Sequence, residues 1–224
     1  MADPIKYSTP YETVVDSIQN NDLRGLFDSY KDWTEFSNAK LAPYLSFVLA
    51  RYVLNIRFTE AEHLIKTDAP TAVSYAKQVI RGPWKEAELT IAADGMAAAD
   101  YAVDVLGKLW PSAEPAIFTV SIAALYYVKH LIKHEHKPAE SIISQHPNTL
   151  YRYANEVLQA RWVAKENALL TFQHPMLSVL YAKDCVKGRW IAAEATIKAN
   201  AAAQKKYQKE VLKQVSVTPS LLSL

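Results

Sequence analysis

Glycine is scarce in this chain of 224 residues: five are present, where average usage of roughly 7% would put about sixteen. Tight turns and left-handed loops draw on glycine, so its scarcity, with many alanines in its place, argues for helix over hairpin. Cys185 is the single cysteine; an internal disulfide is therefore excluded, which suits a reducing cytoplasm. The uncharged run from Pro115 to Val128 covers 14 residues, too few to span a bilayer, and reads as buried core. The first ten residues, MADPIKYSTP, hold no apolar stretch of the kind a secretory leader needs. Also missing are a glycine-rich phosphate loop, a G-x-S-x-G elbow and an H-E-x-x-H pair, so the common phosphate, acyl-transfer and zinc-hydrolase signatures give no purchase.

Half the residues are apolar and 21% are charged, ordinary for a globular chain. The net charge of +2 conceals an asymmetry. Residues 1–126 carry 11 Lys/Arg against 16 Asp/Glu, and residues 127–224 carry 14 against 7. A basic half can meet nucleic acid or an acidic protein, or complement the acidic half of another copy.

An internal repeat organises most of the chain. Tyrosines recur at Tyr75, Tyr101, Tyr127, Tyr153, Tyr181 and Tyr207, at spacings of 26, 26, 26, 28 and 26. An earlier copy in the same register starts at Leu49. Leu49 or the tyrosine is position 1 of copies 1 to 6, and Tyr207 opens a last half copy. Position 10 is Phe58, Trp84, Trp110, His136, Trp162 and Trp190; position 14 is Glu62, Glu88, Glu114, Glu140, Glu166 and Glu194; position 17 is Ile65, Ile91, Ile117, Ile143, Leu169 and Ile197. Each copy reads as two short helices. Positions 2, 5 and 6 form one apolar stripe, as in Ala76, Val79 and Ile80, and positions 10, 13 and 17 form a second. Glycine at position 8 (Gly82, Gly188) is expected to end the first helix in the left-handed conformation. Proline at positions 9, 11 or 12 (Pro83, Pro111, Pro138) is expected to open the second.

A lone pair of such helices cannot bury its apolar face, whereas stacked neighbours can. The expected fold is all-α: an α-solenoid of stacked two-helix, 26-residue hairpin repeats over 49–213. A diverged N-terminal helical cap is expected over 1–48 and a C-terminal tail over 214–224. The unit Y-A-K-x-V-I-x-G-x-W-x-x-A-E resembles a short helical-hairpin repeat of phage-encoded and other mobile-element proteins, mostly of unassigned activity. The resemblance covers about residues 49–212 and is carried best around Trp84, Trp110 and Trp190. Copy 4 departs from it with His136, and copy 5 has two extra residues. It implies an architecture and no catalytic residues.

The repetition itself separates architecture from site. A glutamate present in all six copies is expected to serve the helix N-terminus, with a tyrosine hydroxyl or a neighbouring Arg/Lys as its partner. The aromatic ladders are expected in the core, although stacked aromatics beside basic residues can also hold bases. His130 and His134 stand at i, i+4, a spacing that metal ligands use. His134 and His136 nevertheless fill ordinary repeat positions, so no metal is expected. Cys185 falls where Val53, Val79, Val105 and Val157 stand and is expected to pack as a small core residue.

The binding candidates are the basic side chains at positions 3, 7 and 9 of the later copies: Lys129, Lys133, Arg161, Lys183, Lys187, Arg189, Lys209 and Lys213. Arg51, Lys77 and Arg81 continue the stripe in the early copies, while Val103 and Gly107 break it in copy 3. Stacked copies would align these cations into a ridge, otherwise a solvated face. The function expected is that of a non-enzymatic, cytoplasmic protein-interaction module. If the phage resemblance holds, it binds and modulates a host or phage factor. The alternative is RNA or single-stranded nucleic-acid binding along the Lys/Arg ridge. Neither reading calls for a cofactor or a membrane, and the charge asymmetry permits self-association.

Overall fold

A computed structural model describes residues 42–212, and these are helical, with no β-strand among them. They form two compact units divided between Ala116 and Ile117. Of the expected cap over 1–48, the described part is a helix over Ala42–Val48 that runs on to Leu54. The tail expected over 214–224 lies outside the described residues.

One local plan recurs. A first helix opens on a polar cap: the side chains of Asp68, Asp94, His174 and Asn200 each accept backbone N–H groups of the turn that follows. Seven residues of α-helix then lead to the tyrosine, as in Ala69–Tyr75 or Pro175–Tyr181. Beyond the tyrosine the helix widens to a π turn, as in Ala76–Ile80, Ala102–Leu106, Val128–Ile132 and Ala182–Val186. Such turns are rare and are often associated with function, but here they recur from copy to copy and belong to the scaffold.

The helix end corrects the sequence expectation. The left-handed residue stands at position 7, not 8: Asn55, Arg81, Gly107, Lys133, Gln159 and Lys187 have φ between 51° and 64°. Gly82 and Gly188 are not in that region. The cause is the wider turn. The position-2 carbonyl of Ala76 accepts the amides of both Arg81 and Gly82, and that of Ala182 those of Lys187 and Gly188. The closing bond therefore spans six residues, one more than in the Schellman ending of an α-helix, and the left-handed residue sits just before its donor.

The second helix begins with a tight turn in which the position-13 amide reaches the position-10 carbonyl. Ala61 bonds Phe58, Ala87 bonds Trp84, Ala113 bonds Trp110 and Ala193 bonds Trp190, at 3.0–3.1 Å. These four alanines are fully buried, which explains the small side chain at that place. The glutamate follows as the first α-helical residue, in Glu62–Ile65, Glu88–Ala93, Glu114–Ile117 and Glu194–Lys198. In copy 5, where Lys165 replaces the alanine, a longer helix over Val163–Thr171 takes up the two extra residues.

Within each unit the first helices of successive copies pack on one another: Ala69–Tyr75 on Gly95–Tyr101, Pro147–Arg152 on Pro175–Tyr181, and the latter on Ala201–Tyr207. Tyr75, Tyr101, Tyr127, Tyr153 and Tyr181 are fully buried. The rings of Tyr75, Tyr101, Tyr153 and Tyr181 lie against the tryptophan of their own copy, Tyr75–Trp84 at 5.1 Å and Tyr181–Trp190 at 4.9 Å between centroids. In copy 4, where histidine is smaller than tryptophan, Phe118 packs on both Tyr127 and His136, at 6.0 and 5.5 Å.

The last of the described helices departs from the pattern. Val179 and Ala182 on Pro175–Val186 are buried. The matching positions on Ala201–Leu212 hold Lys205 and Gln208, both exposed.

Candidate macromolecular interface

The recurring polar side chains meet in one constellation. The tyrosine of one copy reaches the second helix of the copy before it. Its hydroxyl accepts the position-10 amide: Phe58 N–H to Tyr75 at 2.8 Å, Trp84 to Tyr101 at 2.6 Å, Trp162 to Tyr181 at 2.8 Å and Trp190 to Tyr207 at 2.8 Å. The same hydroxyl donates to the position-14 glutamate, Tyr75 to Glu62 at 2.9 Å and Tyr181 to Glu166 at 3.2 Å. Where position 9 is arginine, its fork closes on that carboxylate through two bonds: Arg57 on Glu62, Arg161 on Glu166 and Arg189 on Glu194. The expected tyrosine partner of the glutamate is thus present, and it comes from the next copy. The arginine comes from the glutamate's own copy. A buried amide, a phenol and a carboxylate satisfy one another here, as partly buried polar groups must.

Electrostatics follow the geometry. Arg57 beside Glu62 and Arg189 beside Glu194 hold those carboxyls below the ordinary range. Burial pushes the phenols of Tyr75, Tyr101 and Tyr153 up to about 12, so they remain neutral donors to carboxylates. Burial likewise pushes the Cys185 thiol up to about 12; its side chain packs in the core of the second unit.

The basic candidates divide by position. Position-3 lysines pair with the acid at position 4 of the next copy: Lys77 with Asp104 at 2.7 Å, Lys129 with Glu156 at 2.7 Å and Lys183 with Glu210 at 3.1 Å. Arg161 and Arg189 carry the carboxylate pairs just described. Lys133 and Lys187 occupy the left-handed position at the tips between paired helices, where both are exposed, as is Lys209 on the last helix. Lys213 lies outside the described residues. The stripe is therefore partly a set of ties between copies and partly an exposed row of tips.

The histidines are distributed among separate contacts. His130 lies 4.5 Å from the Tyr126 ring, His134 bonds the Glu135 carbonyl, and His136 packs on Phe118. Among the described residues no three His, Cys, Asp or Glu side chains are grouped as a metal would need.

Sequence reasoning passed over one feature. Large apolar side chains stand exposed on or beside the second helices: Leu89 at 87%, Val163 at 68% and Ile191 at 72%. Val163 and Ile191 hold the same position, 11, in consecutive copies. The readable signal was Arg-Trp-Val-Ala at 161–164 against Arg-Trp-Ile-Ala at 189–192, shared by these two copies alone.

Among the described residues no helix is long and apolar enough to cross a membrane. Comparison with protein-family models, curated proteins and solved structures yields no match to this chain.

Proposed function

We propose that the chain is an α-solenoid of stacked two-helix repeats and works as a non-enzymatic protein-interaction module. One observation carries this reading. The polar groups that recur from copy to copy bond one copy to the next, while large apolar side chains that differ among copies stand in solvent. Exposed apolar surface of this kind marks protein contact sites more than it marks chemistry. The likeness of the repeat to phage-encoded proteins supports a partner among host or phage factors.

The second reading, RNA or single-stranded nucleic acid along the ridge, draws on the exposed Lys133, Lys187 and Lys209. A photocrosslinking residue placed at 163, 77 or 187, followed by recovery under denaturing conditions with and without nuclease, separates the two. Protein adducts that survive nuclease support the interaction module. Adducts lost to nuclease, with binding that falls steeply with salt, overturn it in favour of the nucleic-acid reading.

A further inference from the structure

We propose that the tips of copies 5 and 6 form a docking surface for an acidic amphipathic segment of a partner protein. The proposal rests on the protein-interaction reading and names its partner's chemistry. Tyr181 fixes the two tips beside one another. Its hydroxyl accepts the Trp162 amide at 2.8 Å, and its ring lies 4.9 Å from that of Trp190. Val163 and Ile191 each follow one of these tryptophans, and they are 68% and 72% exposed. Each is β-branched and stiff, so little side-chain freedom is lost when it is covered.

The surround is basic. Arg161 and Arg189 precede the tryptophans with side chains 44% and 59% exposed. Lys187 stands at the left-handed tip of copy 6, and the Lys165 ammonium lies 5.9 Å over the Trp162 ring. Glu166 and Glu194 offset part of this charge through their arginines, and the two lysines leave an excess of positive charge around an apolar centre. Leu89, the most exposed large apolar residue among the described ones, has acidic neighbours instead, Glu86 and Glu88.

The first helices of copies 5 and 6 pack on one another, and packed helices stand about 8–10 Å apart, which sets the step between matching positions such as 163 and 191. Two turns of a helix advance about 11 Å, so apolar side chains at i and i+7 of a partner helix match the two anchors. Acidic residues on its flanks would face the lysines and arginines. A polar, charged rim around a small apolar centre is the ordinary anatomy of a transient interface.

The test uses the full chain and a labelled 15-residue peptide with leucines along one helical face and glutamate elsewhere. Three controls accompany it: the peptide with serine for leucine, the peptide with lysine for glutamate, and a twelve-nucleotide oligo-dT. Anisotropy should show binding of the first peptide alone. V163S/I191S and K165E/K187E, both checked by circular dichroism, should each weaken binding about tenfold or more. Absence of binding by the leucine–glutamate peptide overturns the proposal. So does equal binding of the serine peptide or the oligonucleotide, which would mean charge alone, or indifference to both double variants. Nuclease-resistant protein adducts from residue 163 in a chain that ignores the peptide would refute the partner's chemistry while leaving the interaction module standing. Loss of both refutes the two together.

Discussion

Replacing Tyr181 by phenylalanine removes one oxygen from a side chain with no exposed surface, and with it two hydrogen bonds. The Trp162 amide loses its acceptor at 2.8 Å, and Glu166 loses a donor at 3.2 Å. An unsatisfied buried N–H costs about 1–3 kcal/mol, and a donor lost from a carboxylate with other partners about 0.5–1 kcal/mol. Glu166 is such a case, because Arg161 still holds it through both carboxylate oxygens. The ring and its packing on Trp190 remain, so no cavity term is added. A destabilisation of about 2–3 kcal/mol is expected from these terms. With a urea dependence of about 2 kcal/mol per molar, the midpoint followed by circular dichroism falls by about 1 M. Tyr44→Phe is the control: that side chain is 53% exposed, and the change should cost under about 0.5 kcal/mol. Coincident midpoints for the two variants would refute the role given to the tyrosine ladder.

The helix ends give a paired test: Gly107→Ala, at φ +61°, should cost about 1 kcal/mol through left-handed strain. Gly82→Ala, with open space at its Cβ and no positive φ, should be neutral or stabilising by under about 1 kcal/mol in the same urea melt. The buried phenols of Tyr75, Tyr101 and Tyr153 lie above the ordinary 10.0, at about 12. Their contribution is therefore intact below pH 10 and lost as pH rises through 12; tyrosinate absorbance and helix loss should rise together there, and early, non-cooperative ionisation of all tyrosines would contradict this. Cys185, buried and with its thiol pushed up to about 12, should resist alkylation at pH 8 in the native chain and react fully in denaturant; fast native labelling would show the core of the second unit to be open.

The aromatic and glutamate ladders were legible because they recur at fixed spacing, and each copy repeats the same burial problem. Their chemistry was legible only in part. The glutamate called for a donor, a tyrosine hydroxyl or an Arg/Lys of a neighbouring copy, but the phenol's second bond, from the position-10 amide, involves a backbone group with no sequence signature. The π turn left no trace in the periodicity. The left-handed position is filled by Asn55, Arg81, Gly107, Lys133, Gln159 and Lys187, residues without a common chemistry, so attention went to Gly82 and Gly188 one place later. The ties between position-3 lysines and position-4 acids could have been read: Lys77 and Asp104, Lys129 and Glu156, and Lys183 and Glu210 each stand 27 residues apart. One period plus one residue is the offset that brings them together on packed neighbouring helices. The exposed Val163 and Ile191 escaped notice because each adjoins a buried tryptophan, and apolar neighbours in sequence look alike until the turn separates their faces.

Deleting one whole period tests the stacked-repeat architecture most directly. Removing residues 75–100 joins Ser74 to Tyr101 and lets Tyr101 take over the bonds that Tyr75 makes to the Phe58 amide and Glu62. Removing residues 75–87 instead takes out half a period and misplaces every later tyrosine. In a stacked array each copy contacts only its neighbours, so the 26-residue deletion should leave a helical chain that unfolds cooperatively in urea, while the half-period deletion should lose helix and aggregate. Equal collapse of both chains would contradict the account.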